Sequence, residues 1–199
     1  MRRARHFAAL LAAAALIVAR EATAHSGTGL AGGFASGFAH PFSGFDHLLA
    51  MVAVGIWGAC LGQPLIYALP VVFPALMVAG ATLGLFAVPV PFADTAIGLS
   101  VVVLGGCIAL SLRAPVWAAC LIVGTFAVFH GYAHGHELPA VVDPVGYSAG
   151  FVLATGLLHV LGIGVGRLAD RPDGRTAVRG LGAAIGAMGV WFLLRAVMP

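Results

Sequence analysis

The chain has 199 residues, of which 61% are hydrophobic and only 9% charged, and its mean hydropathy is +1.04. Its cations are all arginine, and four of the ten (Arg2, Arg3, Arg5, Arg20) lie in the first 20 residues; without them and Glu21, six arginines balance six acids. This composition excludes a soluble globular domain and leaves no basic footprint for nucleic acid, which points to an all-α, multi-span membrane protein.

The first elements in chain order are those of a leader. MRRARH is a basic segment, FAALLAAAALIVA an apolar run of 13 residues, and Ala22-Thr23-Ala24 fits the small-x-small cleavage rule. The run is too short for a comfortable span. The expectation is a signal peptide over 1–24 and a mature chain that starts at His25, outside the cytoplasm. Arg20 and Glu21 sit awkwardly close to the cleavage site, so an uncleaved anchor is the alternative. His25–Ala39 is Gly/Ala/Ser-rich and reads as a loop or a short helix at the outer interface.

Six spans then fill one transmembrane domain over residues 25–199: Pro41–Leu61, Pro64–Phe86, Ala93–Leu112, Pro115–Gly135, Pro144–Val165 and Ala177–Val197. Each is near the ~20 residues that a bilayer requires. Pro41, Pro64, Pro115 and Pro144 fall near first turns, where a missing N–H does no harm. Pro70 and Pro74 lie inside the second span and predict a kink. Asp94 and Asp143 read as N-caps of the third and fifth spans. If His25 is outside, Arg113, Arg167, Arg171, Arg175 and Arg179 all face the cytoplasm and the C-terminus ends outside. The positive-inside rule therefore agrees with the leader from independent residues, with Arg195 as a mild exception. Gly162-x-Gly164-x-Gly166 and Gly182-x3-Gly186 read as small faces for close helix packing. Cys60, Cys107 and Cys120 have neither disulfide nor CxxC spacing and read as apolar packing residues; a soft-ligand role for Cys60 and Cys120 near the inner face is the minor alternative.

Two polar clusters interrupt these apolar runs. HPFSGFDHLLAMVAVGIWG (His40–Gly58) opens the first span, and on a continuous helix His40, Gly44, His47 and Met51 would share one stripe, with Asp46 to one side. FHGYAHGHE (Phe129–Glu137) closes the fourth span, and His130, His134 and Glu137 at i, i+4, i+7 share one face while His136 points away. Both clusters lie at the outer surface. His47 and Asp46 are expected to meet His130 at one depth, and His40 to meet Glu137 roughly 10 Å nearer the mouth. A ladder of two sites with His134 shared between them fits that spacing better than one cage.

Charged and polar groups in hydrocarbon cost at least about 2.5–3.5 kcal/mol for a central charge, so their convergence calls for a ligand. Imidazole nitrogen with carboxylate oxygen suits borderline divalent metals such as nickel, cobalt, zinc or copper better than magnesium or calcium. The metal set is His40, Asp46, His47, His130, His134 and Glu137. His25, His136 and Met51 are possible additions, although His25 and His136 also read as solvated residues and Met51 as core. His159 stands alone and reads as an interhelical hydrogen bond. No Walker motif is present, so the chain hydrolyses no nucleotide, and no organic cofactor is expected.

The two clusters also resemble the signatures HPxxGxDHxLxMxxVGxWA and FHGxAHGxE of the HupE/UreJ family of nickel permeases and urease/hydrogenase accessory proteins. Every fixed position matches except the last of the first pattern, where Gly58 replaces alanine. The resemblance implies an inner-membrane permease, not an enzyme. It would carry Ni²⁺, with Co²⁺ or Zn²⁺ possible, to a nickel enzyme such as urease or hydrogenase and its maturation proteins. Two rivals use the same residues: an intramembrane zinc hydrolase with Glu137 or Asp46 as base, and a metal-binding accessory protein that transports nothing.

Overall fold

A computed structural model describes residues 30–137 and 143–198. The expected leader and His25 lie outside the described residues. The elements are helix α1 (Leu30–Ala39), a 3-10 turn (His40–Phe42), α2 (Phe45–Leu61), α3 (Leu65–Leu85), α4 (Ala93–Ala109), α5 (Val116–His136), α6 (Pro144–Gly166), a second 3-10 turn (Arg167–Asp170) and α7 (Gly174–Val197). The described chain is therefore an all-α bundle. Helix α3, helix α5, helix α6 continued to Asp170 and helix α7 are each long and apolar enough to cross a bilayer. Residues Gly32–Phe42 and Phe45–Leu61 qualify as a fifth span only when taken together, and they are bent by 81°. Helix α4, with 17 residues, falls short of that length; at 1.5 Å per residue it extends roughly 26 Å against a ~30 Å hydrocarbon core.

Two expectations are corrected by this layout. The first span is not one straight helix from Pro41. Ser43 closes the 3-10 turn by donating both its N–H (2.9 Å) and its hydroxyl (2.6 Å) to the His40 carbonyl. Gly44 is then extended, with φ −109° and ψ 116°, and α2 restarts in a new direction. The third span stops at Ala109 rather than Leu112. Ser111 takes a left-handed φ of 52°, its N–H bonds the Ile108 carbonyl, and Leu112 N–H bonds the Cys107 carbonyl. That pair of bonds is a Schellman motif, which ends a helix by satisfying its last carbonyls. Helix α3 holds Pro70 and Pro74 inside a single helix.

Helix α2 is the centre of the bundle. It packs against α3, α4, α6 and α7, while α3 lies along α5, α4 along α7, and α1 along α6. Met51, Ala53, Val54, Gly55, Ile56, Trp57 and Gly58 are buried all around α2, as expected of a helix that is apolar on every side. The outer helices instead turn Val71, Trp117, Leu121 and Val160 outward, a surface suited to lipid rather than water. Gly182 and Gly186 lie against Gly105 on α4, the close packing read from their spacing. Cys107 is in the core, and Cys60 and Cys120 pack against it.

Candidate metal site

The bend at Gly44 decides the geometry of the site. A straight helix would hold His40 and His47 roughly 10 Å apart along its axis. With the break between them, both rings reach His134 on α5. The ring centroids form a row: His40 to His134 is 4.8 Å, His134 to His47 is 4.4 Å, and His47 to His130 is 4.8 Å. At the outer end of the row, His40, His134 and Glu137 each offer a ligand atom, all within 4.8 Å of one another. Among the described residues that is the trio the fold gathers most closely, a histidine–glutamate cluster able to coordinate a metal ion.

Hydrogen bonds fix which face two of the rings, His47 and His130, present. Asp46 Oδ1 accepts from both the backbone N–H and the Nδ1 of His47, each at 2.9 Å. A carboxylate only accepts, so Nδ1 carries the proton, and the lone pair is on His47 Nε2, which is buried without a partner. Asp46 thus reaches the row through His47. His130 has its counterpart in Ser100. The Ser100 hydroxyl spends its one proton on the Ile97 carbonyl at 2.6 Å, so at 3.0 Å from His130 Nε2 it accepts. That leaves the lone pair on His130 Nδ1, again buried and unpartnered, and neither nitrogen of His134 has a partner. Native interiors rarely leave such atoms unmatched, because each costs about 1–3 kcal/mol. Several unmatched imidazole nitrogens converging from two helices, with a carboxylate at the rim, form the donor set of a borderline divalent cation. The Asp46 carboxylate behind His47 and the Ser100 hydroxyl behind His130 are the kind of support that a metal-binding histidine takes.

Glycines make room for this arrangement. A Cβ on Gly44 would come within 3.0 Å of Asp46 Oδ1 and 3.1 Å of His47 Nδ1. Gly131 and Gly135 face the other way: a Cβ there would strike the backbone carbonyls of Met77 and Ala81 on α3. They let α5 lie backbone to backbone on α3 while His130 and His134 point into the row.

The remaining sequence candidates divide. His136 is exposed and stacks on Tyr132 at 5.8 Å, away from the row. Met51 is fully buried, and its thioether accepts from the Thr155 hydroxyl at 3.5 Å. Asp143 caps α6 by accepting from Gly146 N–H at 2.5 Å. Asp94 does not cap α4: that position belongs to Phe92, in the left-handed region at φ 61°. Asp94 instead lines a cavity of about 350 Å³ with Asp46, His47, Glu137 and Arg195, and the Arg195 guanidinium sits over the Trp191 ring at 4.7 Å. Three acids against one arginine favour a cation there. Asp94 and Ser100 are the site-related residues that the sequence reading missed. Asp94 resembled a cap, and a serine in an apolar helix carries no pattern of its own.

Apolar spans around a histidine–glutamate cluster define a multi-span membrane protein with a metal-capable site. The chain belongs to the HupE/UreJ family: residues 12–192 match the family described as HupE / UreJ protein. It is 42% identical over 178 residues to Protein HupE of Rhizobium leguminosarum bv. viciae, an alignment that covers 89% of this chain and 93% of that protein. No solved structure matches it. Family membership makes it a non-enzymatic membrane protein.

Proposed function

We propose that the chain is a bacterial inner-membrane permease that takes up a divalent transition metal, Ni²⁺ first and Co²⁺ or Zn²⁺ as lesser cargo. The observation that carries this reading is the row His40–His134–His47–His130, in which His47 Nε2, His130 Nδ1 and both nitrogens of His134 are buried without partners. His40 and Glu137 form the mouth, and His25 serves as an additional capture group. His134 hands the ion from the mouth to His47 and His130, which Asp46 and Ser100 hold in the ligating tautomer. Helices α2 to α7 supply six spans, with α2 and α4 the shortest at 17 residues each. Residues 1–24 are a cleaved leader, both mature termini face outward, and Arg113, Arg167, Arg171, Arg175 and Arg179 mark the cytoplasmic side. The ion passes to a nickel enzyme such as urease or hydrogenase, by way of its maturation proteins.

The test is radionickel uptake into proteoliposomes that contain the purified protein, with cobalt and zinc as competitors. Protein-dependent uptake that is lost in His134→Ala supports the reading. Tight nickel binding without any uptake would replace it with a non-transporting accessory role.

A further inference from the structure

Helix α6 carries a second line of contacts that the outer site does not use. Tyr147, Phe151, Thr155 and His159 recur every four residues, and none is more than 5% exposed. A spacing of four keeps them on one face of the helix. The upper two pack on the row, Tyr147 at 5.7 Å from His40 and Phe151 at 4.3 Å from His134. The third, Thr155, donates to the Met51 thioether, one turn beyond His47 on α2. The fourth, His159, is fully buried, and neither of its ring nitrogens has a hydrogen-bond partner. The Pro70 carbonyl on α3 faces it as a hydrogen-bond acceptor, a loose form of the interhelical bond expected for it. Its ring lies 5.4 Å from Phe73, whose ring is also 5.5 Å from His130.

The surroundings of His159 supply further donors. The Pro70 carbonyl lies beside it. Pro74, four residues on, has no N–H to give that carbonyl, so the ordinary helical partner is missing. An imidazole, a freed carbonyl, a hydroxyl and a thioether thus lie along one core seam between α2, α3 and α6. His159 is two turns beyond Phe151, roughly 12 Å deeper than the level of His134. A cation that left the outer row without such groups would enter bare hydrocarbon.

We infer that His159 is the principal ligand of a second, inner station for the transported divalent cation, with Thr155, Met51 and the Pro70 carbonyl as its companions. This rests on the permease reading. It makes His159 a ligand rather than a packing residue, and the two roles separate experimentally. Full-length protein and its His159→Leu variant are compared by equilibrium dialysis against Ni²⁺ alone, by thermal unfolding in detergent, and by radionickel uptake in proteoliposomes. Leucine removes both ring nitrogens and retains the apolar volume. The expected variant is therefore as stable as the wild type or more so, binds one Ni²⁺ fewer, and takes up nickel at least about tenfold more slowly. The conservative His159→Gln, which keeps one acceptor, should fall between the two and covers the case in which leucine fails to reach the membrane. A folded His159→Leu or His159→Gln variant that binds as many ions as the wild type and transports within about twofold of it overturns the inner station and leaves the permease standing. Wild-type protein that binds one ion more than His159→Leu yet transports none would support the inner site and reject the permease.

Discussion

HPFSGFDHLLAMVAVGIWG and FHGYAHGHE bring histidines to the same row on different backbones. The first runs through a turn and an extended Gly44, with 81° between its two arms. The second is unbroken helix from Val116 to His136, so His130 and His134 stand one turn apart on one face. In the first motif the glycine protects a side-chain pair, Asp46 with His47; in the second, Gly131 and Gly135 protect a helix–helix contact. The difference assigns distinct tasks to residues of the same type. The bent arm places and orients imidazoles, while the straight arm sets the level along α5 at which they meet.

His134 touches both arms, so its loss should be the most damaging. His134→Ala is expected to reduce nickel uptake by about 100-fold or more, beyond the ~10–100-fold usual for groups that merely support a ligand. Uptake per membrane-inserted protein measures it, and retention of half the activity would detach the two motifs from one another. Next comes the glycine contrast. Gly131→Ala meets backbone that cannot move aside and should cost about 1–3 kcal/mol of stability, seen as a lower unfolding temperature in detergent. Gly44→Ala meets only the Asp46–His47 pair, so it should leave that temperature nearly unchanged and lower uptake about tenfold. The reverse pattern would show that the bend is structural rather than ligand-orienting.

The straight arm was legible because spacing alone defines a helical face: His130, His134 and Glu137 at i, i+4, i+7 needed only a continuous helix. The bent arm was not, because Pro41 and Gly44 fit a helix start as well as a break. What decides between them is Ser43 folding back onto the His40 carbonyl, a local bond that leaves no periodic trace. The extra three residues assigned to the third span failed for a related reason, since Ser111 occupies a left-handed position usually signalled by glycine. Partners distant in the chain were hidden altogether. Ser100 becomes part of the site only because α4 lies beside α5, and nothing in IGLSVVVLGG distinguishes it from a neutral packing serine.

Smaller effects sharpen the contrast. Ser100→Ala frees His130 to choose either tautomer and should weaken nickel binding about tenfold with little change in stability, while Ser100→Thr retains the hydroxyl and most of the affinity. Equilibrium dialysis separates the two variants, and equal affinities would remove Ser100 from the site. Uptake should also decline as the external pH falls below about 6, because an imidazole that titrates near 6.5 in water ligates only when neutral. A profile flat from neutral to acid pH would shift the work to Glu137 and Asp46. The smallest effect is expected at His136, exposed and stacked on Tyr132 outside the row: His136→Ala should stay near wild type.

His47 and His130 provide the most direct measurement of a shared row, because one comes from each motif and their rings lie 4.8 Å apart. Radionickel uptake is compared for His47→Ala, His130→Ala and the double variant, each normalised to protein in the membrane. Residues that act on one ion are not additive, so each single change should nearly abolish uptake and the double should be little worse than either. If both single variants retain substantial uptake and their losses multiply in the double, the two motifs hold separate sites and the shared row is wrong.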